Sequence, residues 1–298
     1  MRVFVSGGGG FLGRHLIKAL QVMGAEITAP SSSQCDLTQE TSLARYTDAY
    51  DHIYHLAAWT QAGDFCLRFP GDQWLVNQKI NTNVLSWWIS QQSQAKMICI
   101  GTSCAYPEDG PLVESRYMHG EPTSSLYTYA LTKRMLVQGL RAIQLQYGLA
   151  WLCVVPSTLY GVGYHSGDKQ LHFIFDLIRK IKIASRGGER AELWGDGYQR
   201  RELIHVTDFV RDLLLLNNLV QNEIVNIGAG EDHTIRGFAS LICSHLKYDE
   251  NLIAYDETKY VGAKQKLLDI SKLTSMIGKP YRVKLDDGIA MIIEDNNG

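Results

Sequence analysis

The sequence predicts an α/β protein: a doubly wound parallel sheet covered on both faces, joined to a smaller mixed α/β C-terminal lobe. Two observations predict the sheet. Over residues 1–161 short apolar runs alternate with stretches of helical spacing, and that alternation implies βαβ units. The runs lack a polar face, as strands buried on both sides do. A third observation predicts the lobe: after Gly161 the pattern breaks into shorter elements.

The elements follow in order. RVFVS (2–6) reads as a buried strand. Glycines follow, then LGRHLIKALQVMG with apolar residues at helical spacing. EITAP (26–30) is the second strand, closed by a serine-rich turn. HIYHLAA (52–58) reads as a strand, NQKINTNVLSWWISQQS (77–93) as a helix and MICIGTS (97–103) as a strand. YALTKRMLVQGLRAIQLQYG (129–148) is a helix ended by Gly148, and LAWLCVVPSTLYG (149–161) is the next strand. Beyond it come a helix near 171–182, ELWGDG, a helix near 207–217, VNIGAG and a helix near 234–246. No internal repeat or low-complexity segment interrupts them.

Bulk numbers exclude several classes. The 298 residues are enough for a real core. A net charge of −2 gives no field for nucleic acid or an anionic membrane, so neither partner is expected. No apolar run approaches the roughly 20 residues that span a bilayer. The start, VFVSGGGG, is too short and glycine-rich in its apolar part for a secretory leader, so none is expected. Cys35, Cys66, Cys99, Cys104, Cys153 and Cys243 form no CxxC pair, which points to reduced thiols in the cytoplasm and to no metal site.

SGGGGFLG places Gly7, Gly10 and Gly13 in GxxGxxG spacing at the first strand–helix junction, around Phe11 and Leu12. Gly7 suits a tight turn, Gly10 the approach of a pyrophosphate, and Gly13 close helix–strand packing. A glycine-rich turn without ligand is the alternative. An NAD site usually ends its second strand in a carboxylate for the ribose 2′-hydroxyl. Here Ser31, Ser32 and Ser33 stand there. NADP(H) is therefore favoured and NAD(H) remains possible, since no arginine lies in the turn. Asp36 and Leu37 are candidates for the adenine edge, or a solvated turn.

Tyr129 and Lys133 form a YxxxK pair on one helical face. A neighbouring ammonium is expected to favour the phenolate and make the tyrosine a usable acid or base. Thr102 and Ser103, ending the preceding strand, can complete a proton relay to a carbonyl. Tyr127 lies off that face.

The glycine loop, HLAA (55–58), Asn83, GTS, YALTK and PSTLYG (156–161) together resemble the extended short-chain dehydrogenase/reductase superfamily, of the NAD-dependent epimerase/dehydratase type. The resemblance runs nearly end to end and implies a Rossmann-like fold. It implies that Asn83 steadies the active-site helix and that Leu56, Ala57 and Ala58 line the cofactor. Pro156, Thr158 and Leu159 would border the nicotinamide. Residues 1–161 would be the NADP(H) domain, with segments near 203–230 returning to it. Residues 162–298 would mainly hold a sugar nucleotide.

Within that superfamily SCAYPEDGPLVES, LHFIFDLIRK, LWGDGYQRRELIHVTDF and ETKYVGAKQKLLDISKL resemble the GDP-L-fucose synthases. The resemblance makes Cys104 the epimerisation base and His172, also counted beside the cofactor, its partner acid. A 4-keto group acidifies the C3 and C5 protons, and one group must remove a proton while another returns one to the opposite face. Tyr129 would then protonate O4, with Thr102 bonded to the same oxygen and Ser103 at the sugar. Arg201 would take the nucleotide diphosphate. Trp194 would pack near the base or sugar, and Lys264 or Lys266 would touch phosphate. Buried packing is the alternative for Cys104 and His172. The superfamily's homodimer, through helices near 77–93 and 129–147, is expected. Of Trp87 and Trp88, one is expected in the core and the other at the interface.

The pattern departs from that family in places. The glycine loop and second strand lack its arginines. After Tyr160-Gly161 the chain reads VGYHS, placing Tyr164 and His165 where the sugar is expected. A different GDP-sugar, such as a 6-deoxy-heptose, or the loss of one activity would fit. An epimerase that retains NAD, and a non-catalytic dinucleotide sensor on the same fold, are the remaining alternatives.

Overall fold

The computed structural model describes residues 1–61, 64–164, 171–188, 190–259 and 261–295. The first half contains β1 Arg2–Ser6, α1 Phe11–Val22, β2 Glu26–Thr28, β3 His52–His55, α2 Phe65–Arg68, α3 Pro70–Gln91, β4 Lys96–Ile100, α4 Tyr127–Tyr147 and β5 Trp151–Pro156. The chain continues through β6 Thr158–Tyr160, α5 Phe173–Gly187, β7 Ala191–Trp194, β8 Arg200–Arg201, β9 Leu203–His205 and α6 Val206–Leu219. It ends in β10 Glu223–Ile227, β11 His233–Thr234, α7 Ile235–Leu246, β12 Ile253–Asp256, β13 Gln265–Lys266, α8 Ser271–Ile277 and α9 Leu285–Asp295.

Six strands form the main sheet in the order β10-β5-β4-β3-β1-β2. Every pairing is parallel. Alternation along each strand sends successive side chains to opposite faces. Phe4, Ile53, Met97, Cys99, Cys153 and Ile224 join one core with residues of α3 and α4. Val3, Val5, Tyr54, Ile98, Leu152 and Val225 join the other with residues of α1 and α6. Both faces are buried over β1, β3, β4, β5 and β10, and the edge strand β2 alone of the six keeps a polar face, with Glu26 and Thr28. Each fully buried large apolar side chain contributes about 1.5–3 kcal/mol. The strand order reverses between β1 and β3, and an open sheet binds its ligands beyond the carboxyl ends of its strands at such a switch point.

The lobe has its own core, built from Ile174, Phe175, Ile178, Ile181, Phe238 and Ile292 with Tyr160. Its strands form the set β11-β8-β13 and the pairs β12-β7 and β6-β9. Among the described residues no helix is long and apolar enough to cross a membrane.

Three sequence expectations are corrected. The run 149–161 is two strands: β5 stays in the main sheet, and the chain breaks at Ser157 so that β6 pairs with β9. The helix read from 77 starts at Pro70, because a proline at the first helical position gives up no hydrogen bond. Trp87 and Trp88 are both core. Trp87 packs on Phe4 and Tyr50, and Trp88 donates its indole N–H to the Ala95 carbonyl. Neither is left for an interface.

Candidate active site

The glycine loop lies at the switch point. Gly7 has φ +73°, and a Cβ there would stand 2.8 Å from the Ala57 amide nitrogen, so the loop sits directly on the segment after β3. A Cβ on Gly13 would meet the Gly7 carbonyl oxygen and the Gly8 backbone. Gly9, by contrast, faces open space. Gly10 begins α1 without any side-chain cap, leaving the first-turn N–H groups for a ligand. The residues present therefore fit a dinucleotide whose diphosphate rests over Gly9 and Gly10. Arg14 ties this loop to the lobe by donating to the Gly9 and Gly163 carbonyls.

A buried polar chain runs from the loop's strand to α4. The Ala57 N–H donates to Ser6 Oγ. Ser6 Oγ lies 2.8 Å from His55 Nδ1, and His55 Nε2 lies 3.1 Å from Asn81 Oδ1. Asn81 Nδ2 donates to the Thr132 carbonyl. Since the Asn81 oxygen faces the ring, His55 carries its proton on Nε2 and accepts from Ser6 at Nδ1. Burial, with the nearby Lys133 charge, lowers the His55 pKa to about 4. Asn81 is thus the residue that steadies the active-site helix. Asn83, expected in that role, donates instead to the Leu37 carbonyl and fixes the Asp36–Leu37 segment. Helical spacing distinguishes the two: Gln73, Asn77 and Asn81 share the buried face at four-residue intervals, and Asn83 falls off it.

At the end of β4, Thr102 Oγ1 accepts the Cys104 N–H and caps the turn Ser103–Ala105. The Thr102 N–H donates to the Tyr117 hydroxyl. Arg134 of α4 clamps the same turn through the Ala105 carbonyl, and the Thr123 N–H donates to the Cys104 carbonyl. Cys104 is therefore fixed from three sides. A fourth contact comes from the lobe: Lys266 Nζ lies 3.2 Å from Cys104 Sγ. Lys264, the other candidate, is exposed. Nothing local in the sequence chooses between them. The choice is set by β13, which pairs with β8 so that Lys266 stands beside Arg201.

Lys133 is buried, and its ammonium lies 5.9 Å from the centre of the Tyr129 ring. The expected downward pull on the phenol is not what results. Burial, then the neighbouring Cys104 and Cys66 thiols, raise the Tyr129 pKa well above the usual phenol value. Burial also lowers that of Lys133. Tyr129 therefore stays protonated at neutral pH, the state of a proton donor.

His172 precedes α5 and is solvent-accessible, yet the protein around it lowers its pKa below the ordinary imidazole value. Among the described residues no hydrogen bond or ion pair joins it to Cys104. Its neighbour is Tyr164, edge-on at 6.0 Å, which stacks on Phe175 at 4.0 Å and meets Phe11 of the glycine loop edge-on at 5.3 Å. His165 lies outside the described residues.

Pro156 ends β5, and Thr158 and Leu159 follow in β6, on the sheet edge that carries the glycine loop and Thr102. Leu56 and Ala58 flank Ala57 after β3, and Ser31 and Ser32 turn out of β2. Phe11 and Leu12 open α1. Trp194 is 53% exposed at the end of β7, with Lys180 Nζ 5.0 Å from its ring centre. Arg201 donates to the Arg200 and Val261 carbonyls. All six cysteines are free and buried. Among the described residues no group of three or more His, Cys, Asp or Glu side chains is gathered to hold a metal ion.

A parallel sheet with an uncapped glycine loop at its switch point, and a YxxxK helix at the same edge, define a dinucleotide-dependent enzyme of the short-chain dehydrogenase/reductase class. Sequence comparison makes the class particular. The chain belongs to the NAD dependent epimerase/dehydratase family, whose profile matches residues 3–228. It is 30% identical to GDP-L-fucose synthase 1 of Arabidopsis thaliana over 97% of this chain and 91% of that one. In fold it is similar to a GDP-6-OMe-4-keto-L-xylo-heptose reductase from C. jejuni, with a TM-score of 0.89 at 20% identity over 99% and 97% of the two chains. It is also similar to a GDP-mannoheptose C4 reductase from Campylobacter jejuni with NADP bound, with a TM-score of 0.86 at 22% identity over 100% and 98%. The chain is an NAD(P)-dependent enzyme of the epimerase/reductase type.

Proposed function

We propose that the chain is an NADPH-dependent epimerase/reductase of a GDP-bound 4-keto-6-deoxy sugar, acting as the GDP-L-fucose synthases do. One observation carries the reading: Cys104 Sγ lies 3.2 Å from Lys266 Nζ, in a turn clamped to the helix that carries Tyr129 and Lys133. A thiol whose backbone N–H is capped by Thr102, neighbour to a protonated phenol and held by an ammonium from another lobe, is more than core packing requires.

The roles follow from the environment of each group. Cys104 removes a proton beside the 4-keto group, and Lys266 stabilises negative charge on sulfur. His172 starts unprotonated, takes a proton from the solvent it touches, and returns it on the opposite face. Tyr129, kept protonated by burial, donates to O4, with Thr102 and Ser103 beside it. Lys133 supplies positive charge behind the phenol. Bound nicotinamide supplies the hydride. Gly7, Gly10 and Gly13 hold the diphosphate, Asp36 and Leu37 the adenine, and Arg201, Trp194 and Lys264 the GDP end.

A second reading is favoured by the Tyr164–Phe175 stack against His172. It stands where the fucose synthases carry another segment, and fits a 4-keto reductase for a GDP-heptose. The expected homodimer would use exposed Leu75 of α3 with Met135 and Leu145 of α4, and light scattering tests it. Six free thiols favour the cytoplasm.

The test is NADPH consumption with GDP-4-keto-6-deoxymannose, for wild type and Cys104→Ser, with product stereochemistry read by NMR. Wild type is expected to yield GDP-L-fucose, and the variant an unepimerised reduced sugar. Reduction without epimerisation by wild type selects the second reading. No turnover with intact NADPH binding sinks the first on sugar identity.

A further inference from the structure

The turn after β2 lacks an arginine, yet an arginine reaches it from elsewhere in the chain. Thr28, Ala29, Pro30 and Gln34 line an open cleft of about 350 Å³ together with Arg45 and Tyr46. The cleft adjoins the dinucleotide loop: a Cβ on Gly8 would touch the Ala29 Cβ at 3.0 Å. Its lining contains no carboxylate. Gln34 Oε1 accepts the Ser31 N–H and lies 3.1 Å from Ser31 Oγ, which orders the serine turn at the cleft's edge. Arg45 donates to the Tyr46 hydroxyl, and its guanidinium lies 5.1 Å from the Tyr46 ring centre. Among the described residues it forms no ion pair with a carboxylate. Tyr46 in turn packs edge-on against Phe4 of β1, so the stacked arginine rests on the core.

From these contacts we infer that the cleft is the subsite for the 2′-phosphate of a dinucleotide's adenosine ribose, with Arg45 as its cation. The inference rests on the dinucleotide reading of the glycine loop. With the diphosphate over Gly9 and Gly10, the adenosine ribose falls at the end of β2, where an acidic residue would bind a 2′-hydroxyl and an arginine a 2′-phosphate. A guanidinium offers paired N–H donors to phosphate oxygens. The Thr28 hydroxyl in the cleft wall adds a polar group that a phosphate can use, and no carboxylate of the lining opposes it.

Calorimetric titration with 2′,5′-ADP and with 5′-ADP tests this without any turnover. Wild type is expected to prefer 2′,5′-ADP. Arg45→Ala is expected to weaken 2′,5′-ADP by about 10- to 150-fold, the value of a charged hydrogen bond, and to leave 5′-ADP unchanged. Unchanged 5′-ADP binding also reports an intact fold, and Arg45→Gln repeats the measurement with a polar replacement. Equal affinity of wild type for the two nucleotides overturns the assignment while the dinucleotide site stands. So does an equal loss of both in the variants. Failure of wild type to bind either nucleotide, or NADPH, overturns the dinucleotide reading itself.

Discussion

Replacing Lys266 with Met removes the cation that touches Cys104 and keeps most of the side chain's bulk. At 3.2 Å two unit charges interact by about 5 kcal/mol in a surface-like medium of effective dielectric 20. That is a ceiling, because Lys266 is only half-buried and is solvated when unpaired. A hydrogen bond to a charged group is worth about 1.5–3 kcal/mol net. Each 1.4 kcal/mol is tenfold, so thiolate-dependent proton removal should slow by about 10- to 150-fold. The assay is deuterium incorporation at C3 and C5 of the 4-keto sugar nucleotide in D₂O, followed by NMR, beside hydride transfer from NADPH in the same sample. Lys266→Met should lose exchange far more than hydride transfer, with KM little changed, and Lys266→Arg should restore part of it. Exchange at the wild-type rate would refute the argument. A rise in KM with exchange kept at saturation would refute it differently, by making Lys266 a phosphate contact.

Three further outcomes follow from the geometry. Gly13→Ala places a Cβ 2.4 Å from the Gly7 carbonyl oxygen and 2.7 Å from the Gly8 backbone. Backbone cannot yield as a side chain does, so a loss of about 3 kcal/mol is expected in denaturant unfolding, and a near-wild-type midpoint would argue for a looser loop. His55 has a pKa of about 4 in the fold against 6.5 for the free residue. Its contribution is present above pH 6.5 and lost as pH falls towards 4, by about 3 kcal/mol. Unfolding of wild type and His55→Gln should therefore converge on acidification, and parallel curves would discount the buried neutral imidazole. Asn81→Ala leaves buried His55 Nε2 without its partner, removes a second bond to the Thr132 carbonyl, and should cost about 1–3 kcal/mol. Asn83→Ala, which frees only the Leu37 carbonyl, should cost less, and the reverse order would restore Asn83 to the helix-steadying role.

These predictions separate what the sequence could and could not reveal. The sheet was readable because burial on both faces forces continuous apolar strands, and β1, β3, β4 and β5 carry that mark without a turn signal inside them. Gly7, Gly13 and the Tyr129–Lys133 pair were readable because each depends on spacing within one element. The protonation state of Tyr129 was not, since it depends first on burial and then on Cys104 and Cys66, none of which a local pattern encodes. Trp87 and Trp88 misled for a related reason. Adjacent helical positions diverge by about 100°, but α3 is covered so broadly that both directions meet protein.

Lys266 and Arg45 mark the same limit in sharper form. Each is an ordinary polar residue in a segment without a motif, and each gains its meaning from a partner brought near by topology. Lys266 reaches Cys104 across 162 positions because β13 pairs with β8 beneath the site. Arg45 lines the cleft beside Pro30 and Gln34, with Tyr46 resting it on Phe4 of β1. The motifs sit at one edge of the sheet. The charges beside them are set by contacts between elements, which no motif within a single turn encodes.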